Sequence, residues 1–216
     1  MAVKPIIIFG NKDLAEMAKF YFTQVGRRVA GFTMDNPESD TYKKLPMWDA
    51  ETIHLDCPYT EYDMFAPIYS NITRQKIYER LLGLGYKLVN FVHETAHVWD
   101  PGMISRNQNV FIQEHNNIQY GTTIGDNNIF WAGNHIGHHS IIGAHNYFSS
   151  HVVLSGHCKV GNGNYFGVNC TIKDAMTIAS GNFFGANSFI SKNIDTDNTL
   201  YFGTPATPKG DAKKYM

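Results

Sequence analysis

Large apolar residues recur every six positions from Ile118 to Ile190: Ile118, Ile124, Phe130, Ile136, Ile142, Phe148, Leu154, Val160, Phe166, Ile172, Ile178, Phe184 and Ile190. Spacing near 3.6 would mark an amphipathic helix and spacing of 2 a flat strand, so a strict six fits neither. It fits a hexapeptide repeat. A longer period of 18 runs through it, because Phe130, Phe148, Phe166 and Phe184 recur at every third step, as do Asn128, Asn146, Asn164 and Asn182. Three short strands therefore make one coil, and the predicted fold is a triangular parallel β-helix. Alternation within each side sends the apolar residue and the one two before it inward. These inner partners are small or amide residues almost throughout: Thr122, Asn128, Asn134, Ser140, Asn146, Val152, Cys158, Asn164, Cys170, Met176, Asn182 and Ser188. With coils stacked about 4.8 Å apart, the Phe and Asn columns become continuous internal ladders. Gly follows the apolar residue at 125, 137, 143, 161, 167 and 185, which predicts tight corners at positive φ.

The pattern ahead of the repeat is of another kind. Val3 to Phe9 reads as a buried strand followed by Gly10. Leu14, Ala15, Ala18, Phe22 and Val25 keep helical spacing, which predicts a helix from Lys12 to Val25 with Asn11 as N-cap and Gly26 as its stop. Arg28 to Phe32 is a second strand that ends near Asp35, Met64 to Tyr69 another, and Asn71 caps a helix through Leu82 before a strand from Lys87 to Val92. Strand and helix in alternation give a small Rossmann-like α/β sheet with parallel pairing. The predicted division is an α/β domain over 1–93, a β-helix over 94–200 and a tail over 201–216. Val98, Ile104 and Val110 already step by six, and a two-residue slip from Glu114 to Asn117 leads into the main register. That segment reads as an irregular first coil capping the solenoid.

Composition narrows the classes. A chain of 216 residues with net charge -1 and a pI near 6.8 has neither the basic excess that nucleic acid demands nor one suited to anionic membranes. The apolar run Pro5 to Phe9 is too short for a signal peptide, and no window approaches the ~20 apolar residues of a membrane span. Cys57, Cys158 and Cys170 are odd in number, and the last two fall on inward positions, so they read as small core residues in a reducing compartment, the cytoplasm by default.

The outward positions bear on partners. Between His115 and Ile190 only Asp126, Lys159, Lys173 and Asp174 are charged. One outward column, Ile129, Tyr147, Tyr165 and Phe183, makes an apolar stripe expected at an interface; three-sided prisms commonly associate about a threefold axis, so a homotrimer is expected. Packing of the stripe against the tail or the first domain is the alternative. His139, His145, His151 and His157 are spaced by six, which invites a metal reading. A step of six moves to the next side of the triangle, however, so only His139 and His157 stack on one side. The reading is polar corner histidines and no metal.

The segment Ile136-Gly137-His138-His139-Ser140-Ile141-Ile142-Gly143 resembles the one that carries the catalytic histidine in bacterial sugar acyltransferases. That family joins a small nucleotide-sugar domain to a left-handed β-helix and includes UDP-4-amino-sugar N-acetyltransferases and sialic acid O-acetyltransferases. The resemblance extends to the opening strand with Gly10, the helix start Ser70 to Arg74, Leu88 to His93, and Gly203-Thr204-Pro205-Ala206 in the tail. It implies acyl transfer from acetyl-CoA to a sugar amine or hydroxyl in surface glycan (O-antigen, lipopolysaccharide) assembly, with His138 as general base. It also implies CoA contacts at Gly156 and at the Gly185-Ala186 corner, and nucleotide contacts at Gly10 and Asp35, by the logic of strand ends in open sheets.

Two departures stand out. The family places Glu or Asp directly after the catalytic histidine, and here that place is held by His139. Either another acid such as Glu114, Asp126 or one from a neighbouring subunit substitutes, or catalysis leans on positioning. The turn Gly10-Asn11-Lys12-Asp13 lacks the family's extra glycines and histidine, which makes Lys12 the candidate for the diphosphate. The expected function is N-acylation of a nucleotide-linked amino sugar. O-acetylation, or a nucleotide-sugar-binding trimer without chemistry, are the alternatives.

Overall fold

The structure, a computed structural model, describes residues 3–215. Its contacts divide the chain into two compact units, one of residues up to Tyr69 with Thr73–Asn90, the other of Ser70–Ile72 with Phe91 onward.

In the first unit, β1 (Ile6–Phe9), β2 (Val29–Met34), β3 (Thr41–Tyr42), β4 (Leu45–Asp49) and β5 (Asp63–Phe65) form one sheet in the order β3-β4-β2-β1-β5. All pairings are parallel except β3 with β4. β1 lies inside the sheet between β2 and β5 and is buried throughout, as its unbroken apolar run requires. The first helix, α1, runs Asp13–Gln24 with Lys12 at the N-cap in place of Asn11, and no side chain caps it. The expected strand over Lys87 to Val92 is split. Leu88 makes an isolated bridge to Met64, whereas Phe91–Val92 pairs with Phe111–Ile112 of the β-helix.

The second unit is the three-sided parallel β-helix. Two-residue strands repeat every six residues, and from Phe111 to Ile190 each pairs with a strand 18 residues away, as Ile129–Phe130 does with Tyr147–Phe148. Inside, Phe130, Phe148, Phe166 and Phe184 stack with ring centroids 4.7, 4.7 and 5.1 Å apart. Beside them each asparagine carbonyl of the ladder accepts the backbone N–H of the next: Asn128 from Asn146 at 2.7 Å, Asn146 from Asn164 at 2.8 Å, and Asn164 from Asn182 at 2.9 Å. An amide is tolerated in this core because its acceptor meets a buried donor in every coil.

Four details differ from the sequence reading. Ile112 is already in the main register, and the irregularity lies earlier. Val92 pairs with Ile112 and Val98 with Ile118, twenty residues apart, and the extra residues enter around the helix Pro101–Ser105. Strand pairing runs on past residue 200, because Thr199–Phe202 pairs parallel with Phe183–Phe184 and antiparallel with Thr207–Asp211 of the expected tail. The stripe of Ile129, Tyr147, Tyr165 and Phe183 is not a free surface. Its first three members are buried, and Phe183 packs on Tyr165, Phe202 and Tyr215.

The fourth concerns the corners. The glycines at 125, 137, 143, 161, 167 and 185 are not at positive φ. They are glycine because a Cβ would strike the next coil, as at Gly137, where it would lie 2.5 Å from the Gly156 nitrogen. Positive φ falls three residues after each apolar residue from Ile118 to Phe184. His139, His145, His151 and His157 occupy it at φ 54 to 63°, as do Asn127, Asn169 and Asn187. Asn and His are among the side chains that tolerate this region best, which accounts for the six-residue histidine spacing.

Candidate active site

His138 follows the strand His135–Ile136 and Gly137, at a corner where the chain turns to the next side of the prism. Its backbone N–H donates to Gln119 Oε1 at 3.2 Å, and the His139 N–H donates to the Tyr120 carbonyl at 2.9 Å, so the coil above fixes both residues. The side chains stay exposed. His138 Nδ1 lies 3.1 Å from His139 Nδ1. A hydrogen bond between two ring nitrogens needs one N–H and one lone pair, so these imidazoles hold complementary tautomers.

A cavity of about 460 Å³ opens beside them, lined by His97, Trp99, Asn117, Gln119, Tyr120, His138 and His139. Its aromatic wall is a run of edge-to-face contacts, Trp99 on Tyr120 at 4.8 Å and Tyr120 on His139 at 5.3 Å.

One coil below His138, at the equivalent position, is Gly156, and one further is Asp174. A Cβ at Gly156 would sit 2.9 Å from His138 Cε1, 3.0 Å from His138 Nε2 and 3.1 Å from Asp174 Oδ1. The missing side chain thus leaves one small space faced by the imidazole and the carboxylate. Among the described residues the Gly156 N–H has no hydrogen-bond partner, although the residue is buried. The two acids weighed from sequence are engaged elsewhere. Glu114 Oε1 faces His93 Nε2 at 3.9 Å, and Asp126 Oδ1 accepts the Gln108 N–H at 2.9 Å.

The other candidates are dispersed. Gly185 is buried under the Phe202 ring, and Ala186 is exposed next to it. Gly10 ends β1 at φ 109°, Lys12 is exposed at the start of α1, and Asp35 follows β2. These three belong to the first unit. Asp35 pairs with Arg80 at 2.8 Å and lines a cavity of about 440 Å³ with Asn36, Asp49, Ala50, Glu51, Arg80 and Leu84. Arg80 also lies over the Phe9 ring at 5.4 Å.

Trp99, Tyr120, His157 and Asp174 were not singled out from the sequence as site residues. The period of 18 was the available signal, since Tyr120, His138, Gly156 and Asp174 occupy successive turns of one column.

No curated protein sequence matches the chain significantly. Among solved structures, a variant of perosamine N-acetyltransferase from Caulobacter crescentus, in complex with CoA and GDP-perosamine, superimposes with a TM-score of 0.87 at 23% identity. The match covers 97% of this chain and 99% of that one. The acetyltransferase domain of PglB from Neisseria gonorrhoeae, in complex with acetyl coenzyme A, gives 0.84 at 20% identity over 96% and 100%. WeeI from Acinetobacter baumannii gives 0.73 at 14% over 96% and 100%. The chain thus has the fold of these proteins, a small α/β domain followed by a left-handed β-helix, and within it residues 121–156 match the bacterial transferase hexapeptide family of six repeats.

Proposed function

We propose that this protein is an acetyl-CoA-dependent N-acetyltransferase acting on a nucleotide-linked amino sugar, with His138 as general base. The observation that carries the proposal is the corner itself. An exposed imidazole is held by its neighbour's Nδ1, next to an unpartnered N–H at Gly156 and a cavity with an aromatic wall.

With the Nδ1–H of His138 donated to His139, Nε2 keeps the lone pair. The acceptor amine attacks the thioester carbonyl, its proton passes to Nε2, and the tetrahedral intermediate collapses to the amide and CoA thiolate. His139 then accepts a charge-assisted hydrogen bond from the imidazolium, in the place where the family that this segment resembles has Glu or Asp. The Gly156 N–H is the candidate donor to the oxyanion. Base catalysis of this kind contributes about 10² to 10⁴-fold.

Asp174 favours the amine over the hydroxyl. An amino sugar is largely the ammonium ion in solution, and a carboxylate facing the same space as Nε2 attracts that cation, which gives up one proton to solvent before the free amine attacks. A neutral hydroxyl gains nothing comparable. In this proposal the nucleotide moiety contacts Gly10, Lys12 and Asp35, and CoA runs past Gly156 toward Ala186. The active form is a homotrimer, an assembly supported by the exposed apolar Ile141, Val153 and Val168 on the β-helix.

The test is CoA release by wild type and His138→Ala with acetyl-CoA and a panel of nucleotide-linked amino sugars and their hydroxyl counterparts. Turnover on an amino sugar that drops more than about 100-fold in the variant supports the proposal. Full activity in the variant removes His138 as base, and turnover on hydroxyls alone makes the protein an O-acetyltransferase. Binding of nucleotide sugars without turnover on any acyl-CoA leaves a non-catalytic binding protein.

A further inference from the structure

We propose that His138, His139 and His157 together bind a divalent transition-metal ion, with Zn²⁺ the expected occupant, and that the ion blocks the reaction and is no cofactor of it. Only the blocking clause rests on the function proposed above; the binding site stands on geometry alone.

The three imidazoles come from two successive coils. His139 and His157 occupy the same corner position 18 residues apart, at φ 54° and 57°. Their rings lie 8° from parallel with centroids 5.2 Å apart. His138 stands nearly perpendicular to both, 85° and 89°, at 5.3 and 4.9 Å. One nitrogen from each ring can be chosen so that all three lie within 4.8 Å of one another. At Zn–N distances of about 2.0–2.1 Å, tetrahedral ligand atoms are about 3.4 Å apart. The Nδ1 pair of His138 and His139 is already at 3.1 Å. The remaining closure is within reach of χ rotation, because all three side chains are exposed.

The backbone beneath is held for the purpose. The His139 N–H donates to the Tyr120 carbonyl at 2.9 Å and the His157 N–H to the His138 carbonyl at 2.8 Å. Binding therefore orders only exposed side chains. Three neutral imidazoles suit Zn²⁺, Cu²⁺ or Ni²⁺ and not the oxygen-seeking Mg²⁺ or Ca²⁺, and they leave a fourth position for water. Asp174 contributes a nearby negative charge. Coordination through His138 either consumes the lone pair that would take the acceptor's proton or turns the ring away from its place, so occupancy and turnover exclude each other.

The ladder of four histidines at a spacing of six supplies only two of the ligands, because His145 and His151 lie on other corners than His139 and His157. The cluster needs His138, which lies outside that ladder.

Calorimetry of the chelator-treated full-length protein with Zn²⁺, and the visible absorption of Co²⁺ as a direct probe of coordination, test the site. One ion per chain is expected, with a Co²⁺ spectrum of tetrahedral type. His157→Asn should weaken binding at least about tenfold, since even the loss of an outer-shell partner costs 10 to 100-fold. Asn tolerates the left-handed backbone there, so this variant folds. His151→Asn makes the same change at another corner and should bind as wild type. Zn²⁺ should inhibit CoA release by wild type and spare His157→Asn. Unchanged Zn²⁺ affinity in His157→Asn, or equal loss in His151→Asn, overturns the proposal, as does a wild type that binds no Zn²⁺ or Co²⁺. A wild type that binds the metal but turns over no acceptor counts against the transferase function and supports the site.

Discussion

Gly156→Ala separates a glycine retained for chemistry from one retained for packing. The added Cβ would lie 2.9 Å from His138 Cε1 and 3.0 Å from Nε2, whereas a comfortable carbon contact is about 3.5–4.0 Å. The imidazole must therefore retreat by about 0.6 to 1.1 Å. Misplacement of a reacting group by about 1 Å can cost 10²-fold, which is about 2.7 kcal/mol of barrier. Stability should hardly change. Gly156 is not at positive φ, His138 is exposed and free to swing, and Gly to Ala restrains the unfolded chain by about 0.4–1 kcal/mol in the folded state's favour. Gly137→Ala is the contrast, because its Cβ would meet the backbone at Gly156 N and Ser155 C, each at 2.5 Å. Backbone cannot swing aside, so overpacking costs about 1–3 kcal/mol or more. Steady-state CoA release and thermal melts of both variants are the assay. Wild-type kcat/KM in Gly156→Ala would refute the assignment of the His138 corner, and a melting temperature as low as that of Gly137→Ala would show that Gly156 serves coil packing.

Three further outcomes are expected. Asn146→Ala strips the acceptor from the Asn164 N–H, held at 2.8 Å in the core, and should cost about 1–3 kcal/mol in chemical denaturation as an unsatisfied buried donor. Burial pushes the Cys170 thiol up from 9.0 to about 12. The folded state thus keeps a proton that the unfolded chain releases, so stability present below pH 9 is lost between about pH 9 and 12. Alkaline melts of Cys170→Ala should show a shallower loss; an unchanged slope rules this thiol out as a contributor. Asp35→Asn breaks a half-exposed pair with Arg80 and should cost under about 1 kcal/mol of stability while weakening the melting shift produced by nucleotide sugars; an undiminished shift would remove Asp35 from the nucleotide site.

The β-helix was legible because its information is local and repeated. Every rung restates the same inward pair, so the thirteen apolar positions and the Asn and Phe ladders could be read off by counting. The parallel α/β sheet was legible for a related reason, since the uninterrupted apolar run of β1 has no place but a sheet interior. Corner geometry was not. Glycine is selected both for positive φ and for the absence of a Cβ, and composition alone does not separate the two. Gly137 proved to be the second kind, while His139, two residues on, takes the left-handed conformation.

The sequence alone determined the prism, its period and the corner that holds His138. Only the tertiary structure decided what that corner meets. Asp174 faces the same small space as the imidazole because two coils stack across a glycine. His157 joins His138 and His139 because residues 18 apart share a column. Tyr147 and Tyr165 point outward yet are buried. Each of these depends on residues far apart along the chain, and a periodic pattern specifies which way a side chain points without specifying what it will find there.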